Sequence, residues 1–174
     1  MKLPNKISRK PSAIVTATTV LAACASPLQA ASSADAKALS MALEDEYRAE
    51  ATYDAVLVSF PGARPFINII EAERRHADRV RTEMDRVGIT YAKTNPYLGT
   101  LKAPASVLEA CQQGIVAEEE NIALYDRLLP SVTDGQIRAT LTALQSASRE
   151  RHLPAFQRCV ARGGALGAGR GRTE

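Results

Sequence analysis

Four stretches of this chain repeat apolar residues at three- and four-residue steps, and each is bounded by helix start and stop signals. That spacing gathers the apolar side chains on one helical face, whereas a half-buried strand needs strict alternation, which is absent over any useful length. The first stripe carries Leu39, Leu43, Glu46, Tyr53, Val56, Leu57 and Phe60 and stops at Pro61-Gly62. The second opens at Pro65, where a missing N–H costs nothing, and runs through Phe66, Ile69, Glu73, His76, Val80 and Val87 to Gly88. Ser106-Val107-Leu108-Glu109 is a capping box for a third helix that reaches Leu129, ahead of Pro130. Thr133-Asp134-Gly135-Gln136 offers a second box, and the fourth stripe carries Ile137, Leu141, Leu144, Ser148, His152, Ala155 and Cys159.

From Gly88 to Ala105 the pattern disappears, with Pro96, Gly99 and Pro104 among scattered Tyr, Leu and Thr. So long an irregular connection is uncommon inside a compact domain. It suits a chain that travels the length of a bundle before starting a helix parallel to the last one. The expected fold is all-α: an antiparallel four-helix bundle with one long crossover between the second and third helices. The 174 residues need no second domain, and residues 31–162 form the expected helical unit.

A stripe that faces a core should be apolar, because an unpaired buried carboxylate costs several kcal/mol or takes up a proton. Here every stripe is interrupted: by Glu46 on the first helix, Glu73 and His76 on the second, Glu118 on the third and His152 on the fourth. Those are the only two histidines in the chain. Glu73-x-x-His76 sets a carboxylate and an imidazole about one turn apart, where both reach one metal. The second half repeats the first: Glu46 and Tyr53 precede His76, and Glu118 and Tyr125 precede His152, with seven residues from Glu to Tyr in each case. Tyr53 and Tyr125 read best as buried aromatics whose hydroxyls bond a ligand carboxylate, ahead of a redox-active role. Glu50, Glu119 and Glu120 fall off or at the border of the stripe and are expected in solvent.

At these residues the sequence resembles the ferritin-like superfamily of carboxylate-bridged di-iron proteins, and within it the bacterial family called domain of unknown function 2202. The resemblance spans Leu39 to Val160 and rests on Glu46-x6-Tyr53, Asn68-Ile69 with Glu73-x-x-His76, Gly114-x3-Glu118 with Ile122, and His152-Leu153-x-Ala155-Phe156. It implies a ferritin-like bundle in which Glu46, Glu73, His76, Glu118 and His152 are metal ligands. Two positions depart from the relatives. Arg149 stands where many have a Glu three residues before the last His, and Asn121 where an Asp is frequent. Arg149 is expected to bring a positive charge toward the cluster and pair with Glu46 or Glu118. Three carboxylates and two imidazoles suffice for one metal and are thin for two.

Residues 1–30 have the order of a secretory signal: Lys2, Lys6, Arg9 and Lys10, an apolar run from Ala13 to Ala23, then small residues. The run is shorter than the roughly 20 residues of a spanning helix. Leu21-Ala22-Ala23-Cys24 resembles the lipobox of bacterial lipoproteins, with Cys24 as the lipid-bearing residue; cleavage after Ala30 is the alternative. The expected place is the periplasm or a lipid anchor at the cell envelope, with a membrane touched only through that leader. Losing the four basic residues takes the net charge from +3 to about −1. Nothing then resembles the concentrated Lys/Arg face that nucleic acid needs. The Gly/Arg stretch 163–174 reads as a disordered tail.

Cys111 lies seven residues before Glu118 and Cys159 seven after His152. If the third and fourth helices are antiparallel with Glu118 and His152 at one height, the two cysteines meet two turns further along. Either a disulfide, favoured by an exported setting, or two buried thiols satisfies this. Hard carboxylates with imidazole suit iron, one ion or two, or manganese, better than copper or structural zinc. The leading expectation is an exported metal protein that oxidises its metal with oxygen or peroxide. A metal-binding or sensing module without turnover, and a metal-free helical interaction module tethered to the envelope, remain the alternatives. No nucleophile elbow, phosphate-binding glycine loop or dinucleotide fingerprint occurs.

Overall fold

The structure is a computed structural model and describes Met1 and residues 31–165. The expected signal segment, its Cys24 and residues 166–174 of the expected tail lie outside the described residues. Among the described residues the chain is all helical, without strands. It forms α1 (Ser33–Ser59), α2 (Phe66–Arg86), α3 (Val107–Leu128), α4 (Gly135–Ala147) and α5 (Leu153–Ala161). A π turn, Ser148–His152, joins α4 to α5, so these two replace the single fourth helix expected. No helix among the described residues is long and apolar enough to cross a membrane.

The helix ends follow local chemistry. At α3 the Ser106 hydroxyl accepts from Glu109 N, and the Glu109 carboxylate reaches back to the N–H of Ala105. At α4 the cap is Asp134, not the Thr133 of the expected box. Its carboxylate accepts from the N–H groups of Gln136 and Ile137, while Thr133 gives its hydroxyl and N–H to the buried Asp35 of α1. α2 and α5 both end in a left-handed glycine, Gly88 and Gly163, each followed by a bond from the next N–H back to the third-last carbonyl. The ordered chain thus runs past residue 162, where the tail was expected to begin. Gly164 closes α5 against the start of α3, and a Cβ there would fall 2.5 Å from Leu108 N.

Cross-helix partners fix the directions. Between α1 and α2, Glu50 meets Arg74 and Glu46 meets His76. Between α3 and the α4–α5 unit, Cys111 meets Cys159, Glu118 meets His152 and Gln145 meets Asp126. Arg86 with Asp134 and Glu83 with Thr140 link α2 to α4. In each set one residue number falls as the other rises, so each pair of helices runs in opposite senses. Residues 87–106 carry no helix and lie along α1: Tyr47 donates its hydroxyl to the carbonyl of Ala92, and Asn95 donates to the carbonyl of Tyr47 and the carboxylate of Glu50.

The core is divided in two. One apolar cluster gathers Leu39, Leu43, Val80, Met84, Leu128, Ile137 and Leu141; the other gathers Val56, Phe66, Ile69, Ile70, Ala110 and Phe156. In the second, the rings of Tyr53, Phe66 and Phe156 lie 5.2–5.6 Å apart in pairs. Phe156 fits because position 114 has no side chain: a Cβ on Gly114 would sit 2.7 Å from that ring. A layer of buried charged side chains separates the clusters.

Candidate metal centre

That layer consists of Glu46, Glu73, His76, Glu118 and His152, all buried and drawn from α1, α2, α3 and the π turn. Glu73 is its centre. One carboxylate oxygen lies 2.9 Å from His76 Nδ1 and the other 3.0 Å from His152 Nδ1. Glu46 Oε2 approaches the first imidazole to 3.4 Å, and Glu118 Oε1 the second to 3.6 Å. The two rings lie 5.5 Å apart, inclined by 22°. Two triads therefore share one carboxylate: Glu46, Glu73 and His76; and Glu73, Glu118 and His152. Within each, one ligand atom per residue falls within 4.8 Å of the others.

The tyrosines complete the layer reciprocally. Tyr53 of α1 donates its hydroxyl to Glu118 of α3 at 2.8 Å, and Tyr125 of α3 donates to Glu46 of α1 at 2.9 Å. Burial, reinforced by those carboxylates, holds both phenols well above their ordinary pKa, so they stay protonated donors. Each comes from a different apolar cluster, which locks the layer to the packing on either side.

The charges in so dry a place decide its chemistry. Burial pushes the Glu46 carboxyl up to about 8, more than the neighbouring imidazole can offset. Burial acts on Glu73 in the same direction, but the imidazoles of His152 and His76 outweigh it and hold its carboxyl below the usual range. For the histidines burial favours the neutral ring, yet the carboxylates beside them win and raise His76 to about 9 and His152 to about 10. At neutral pH the two imidazoles and Glu46 thus hold protons. Those protons must leave for all five side chains to act as ligands. Even so, Glu46 Oε2 and His152 Nδ1 find no hydrogen-bond partner of good geometry; the 3.0 Å approach of His152 is an ion-pair distance without the alignment. Two orphaned donor atoms in a fully buried ring of carboxylates and imidazoles fit a cation.

Three expectations fail here. Arg149 does not enter the cluster: it is exposed and lies 3.5 Å from Asp126 on the surface. The reason is the π turn, whose i→i+5 bonding takes more residues per turn, so that a residue three before His152 leaves the face of His152. The bond from Leu153 N to Ser148 O shows that register. Pro154 accounts for it, since a proline has no N–H for the carbonyl of residue 150 and its ring would crowd that carbonyl in an α-helix. The same shift buries Phe156 fully and leaves Ala155, expected on the inward face, only partly covered. Glu50, expected in solvent, is also buried, paired with Arg74 at 2.9 Å and Asn95 at 2.9 Å. Its step of four from Glu46 was the available signal.

Asn121 is buried at the edge of the layer and donates to the carboxylate of Asp45, a residue that sequence reasoning missed. Burial raises Asp45 to about 6; the Asn121 amide works against this, and the charges of Glu73 and Glu118 add to it. Asn121 thus faces a neighbouring acid and leaves its own Oδ1 unsatisfied. Cys111 and Cys159 are joined in a disulfide with a Cα separation of 6.1 Å, two turns from the layer.

No family model matches the chain. No curated protein matches it either. Among solved structures, the chain is similar to hypothetical protein MJ0754 from Methanococcus jannaschii, with a TM-score of 0.68 and 23% identity over 78% of this chain and 85% of the other. At that identity the likeness concerns the fold alone.

Proposed function

We propose that this protein is a ferritin-like metal protein whose buried centre binds iron, with manganese as the second candidate. The observation that carries the reading is the pair of carboxylate–carboxylate–imidazole triads sharing Glu73. The helix directions support the class: α1 and the α4–α5 unit each oppose both α2 and α3, so α2 and α3 run in parallel and need a crossover, which residues 87–106 supply. The donor set supports the metal, since hard carboxylates with two imidazoles favour iron or manganese. Three carboxylates serve one ion comfortably and two sparingly. Iron in such a site supplies electron transfer to oxygen or peroxide. The chain's own part is to hold Glu73 between the imidazoles and to orient Glu46 and Glu118 through the tyrosine hydroxyls. The leader suggests an exported or lipid-anchored protein at the cell envelope, and a metal-free helical interaction module is the competing reading.

Metal-free protein reconstituted anaerobically with iron(II) and freed of loose metal should retain about one to two ions per chain, and its absorption should change on exposure to air. A chain that retains neither iron nor manganese leaves the interaction module as the better account.

A further inference from the structure

The imidazoles of the centre are reached from one side. A cavity of about 350 Å³ lies between α2 and the π turn, and His76 and His152 both line it. Its wall carries three arginines: Arg75 and Arg79, one turn apart on α2, and Arg151 from the π turn opposite. None of the three makes an ion pair or side-chain hydrogen bond among the described residues. The acids near them in sequence are engaged elsewhere: Glu73 with the two imidazoles, Glu71 with Arg74, Asp78 with Arg81, and Glu150 with the Ser146 hydroxyl. No carboxylate lines the cavity, and the one further polar amide there is Asn68.

We propose that this cavity binds a small oxyanion, held by Arg75, Arg79 and Arg151 beside the imidazoles of His76 and His152. Three arginines lining it from two elements select against cations, and the planar forks of their guanidinium groups match the paired oxygens of a carboxylate or phosphate. A nucleic-acid strand would need an extended basic groove with aromatic platforms, and the lining contains no aromatic side chain besides the histidines. The volume admits an anion of several heavy atoms and exceeds what a single halide would fill. The oxyanion site stands without a bound metal. Its role as the approach to the centre, which makes the anion a substrate or co-ligand, rests on the metal reading above. Arg151 owes its place to the π turn that turns its neighbour Arg149 away.

Calorimetric titration of metal-free protein with inorganic phosphate, and separately with succinate, tests this and separates the two oxyanion sources. Saturable binding of either is expected. Arg75→Gln with Arg79→Gln should weaken it at least about tenfold, since charge-assisted bonds are lost. Arg151→Gln should weaken it in the same direction, and Arg127→Gln, an equal charge change on the outside of α3, should not. The substituted side chains are exposed, so folding is verified by circular dichroism. Failure of both anions to saturate below roughly 10 mM, well into weak binding, overturns the proposal; so does equal weakening by Arg127→Gln. Metal content measured on the same samples is independent: its absence would count against the centre while leaving the isotherms to judge the cavity.

Discussion

The two halves of the molecule approach the same centre with the same grammar and one unequal word. In the first, an unbroken α2 presents Glu73 and His76 three residues apart; in the second, the corresponding positions are Arg149 and His152, with a π turn between α4 and α5. The outer parts match: Glu46 with Tyr125 and Glu118 with Tyr53 are mirror contacts of nearly equal length. Only the central carboxylate lacks a counterpart, so Glu73 serves both imidazoles. Duplicated ligands therefore do not make independent sites. The triads are coupled through one residue, and the side without its own central carboxylate has a turn that brings Arg151 to the cavity.

The sharpest way to break this comparison is to remove the shared residue. Glu73→Ala should lower metal affinity by on the order of 100-fold or more, judged against the 10- to 100-fold cost of losing even a supporting partner. In metal-free protein it should cost about 3–5 kcal/mol, because two buried imidazolium groups lose their common partner. Glu46→Gln should lose metal too but change metal-free stability at pH 7 by less than about 1 kcal/mol, since Glu46 already carries its proton there. Equal destabilisation by the two variants in urea titration would show that the centre is not organised around Glu73.

Titration tests the same asymmetry without mutation. His76 and His152 have folded pKa values raised to about 9 and 10, so the stability they contribute is full below their unfolded value near 6.5 and is lost as pH rises through 9 and 10. Glu46, raised to about 8, acts in the same direction, losing its contribution as pH rises from its unfolded value toward 8. Glu73, lowered, contributes above the usual carboxylate range and loses it as pH falls. Metal-free protein should therefore be most stable at about pH 4.5–5, where Glu73 is charged and Glu46 and Asp45 have barely begun to lose their contributions, and should lose on the order of a few kcal/mol by pH 10. Metal affinity should run the opposite way, because binding displaces those protons. A melting temperature that holds constant or rises from pH 6.5 to 10 in metal-free protein would contradict the assignment.

Much of this was legible from spacing alone, and what was not shares a cause. Helical stripes and punctuation locate the second and third helices to within a residue or two, although α1 starts six residues before its first stripe residue and the fourth stripe covers two helices; the polar interruptions at positions 46, 73, 76, 118 and 152 name the layer, because period and burial are properties of the stripe itself. Arg149 was misplaced because periodicity assumes one unbroken helical register, and Pro154, the residue that breaks it, sits beyond the residue it displaces. Glu50 was misplaced because an acid at the border of a stripe turns inward only if a partner comes from elsewhere, here Arg74 and Asn95. Asp45 escaped for the same reason: Asn121 supplies the contact. Tertiary partners leave no periodic trace.

The disulfide is a second feature of one half alone. Cys111 and Cys159 close 48 positions between α3 and α5, and no covalent tie joins α1 to α2. On the chain-entropy account, Cys111→Ala with Cys159→Ala should cost about 3–4 kcal/mol of stability, and reduction of the wild type a similar amount. Metal content should persist in both, since the bridge lies two turns from the layer. Loss of metal on reduction would show that the second half depends on the bridge to hold His152, as the first half does not for His76.

The smallest expected effect is the most discriminating. Arg149→Glu places an acid three residues before the last histidine, the spacing of Glu73 to His76, and by sequence alone it should complete a second bridging position. The structure argues otherwise. Position 149 faces solvent across from Asp126, and the π turn that puts it there is set by Pro154, which the substitution leaves untouched. Metal stoichiometry should stay as in the wild type, and stability should shift by less than about 0.5 kcal/mol, the only local change being a new repulsion with Asp126. Pairing it with Pro154→Ala returns the missing N–H and allows an α register through residues 148–153. In that register position 149 moves back toward the face of His152, and the double variant should alter stoichiometry or affinity where the single one does not. If Arg149→Glu alone raises the number of bound ions, the turn is not what separates the two halves, and residue identity at position 149 accounts for the difference by itself.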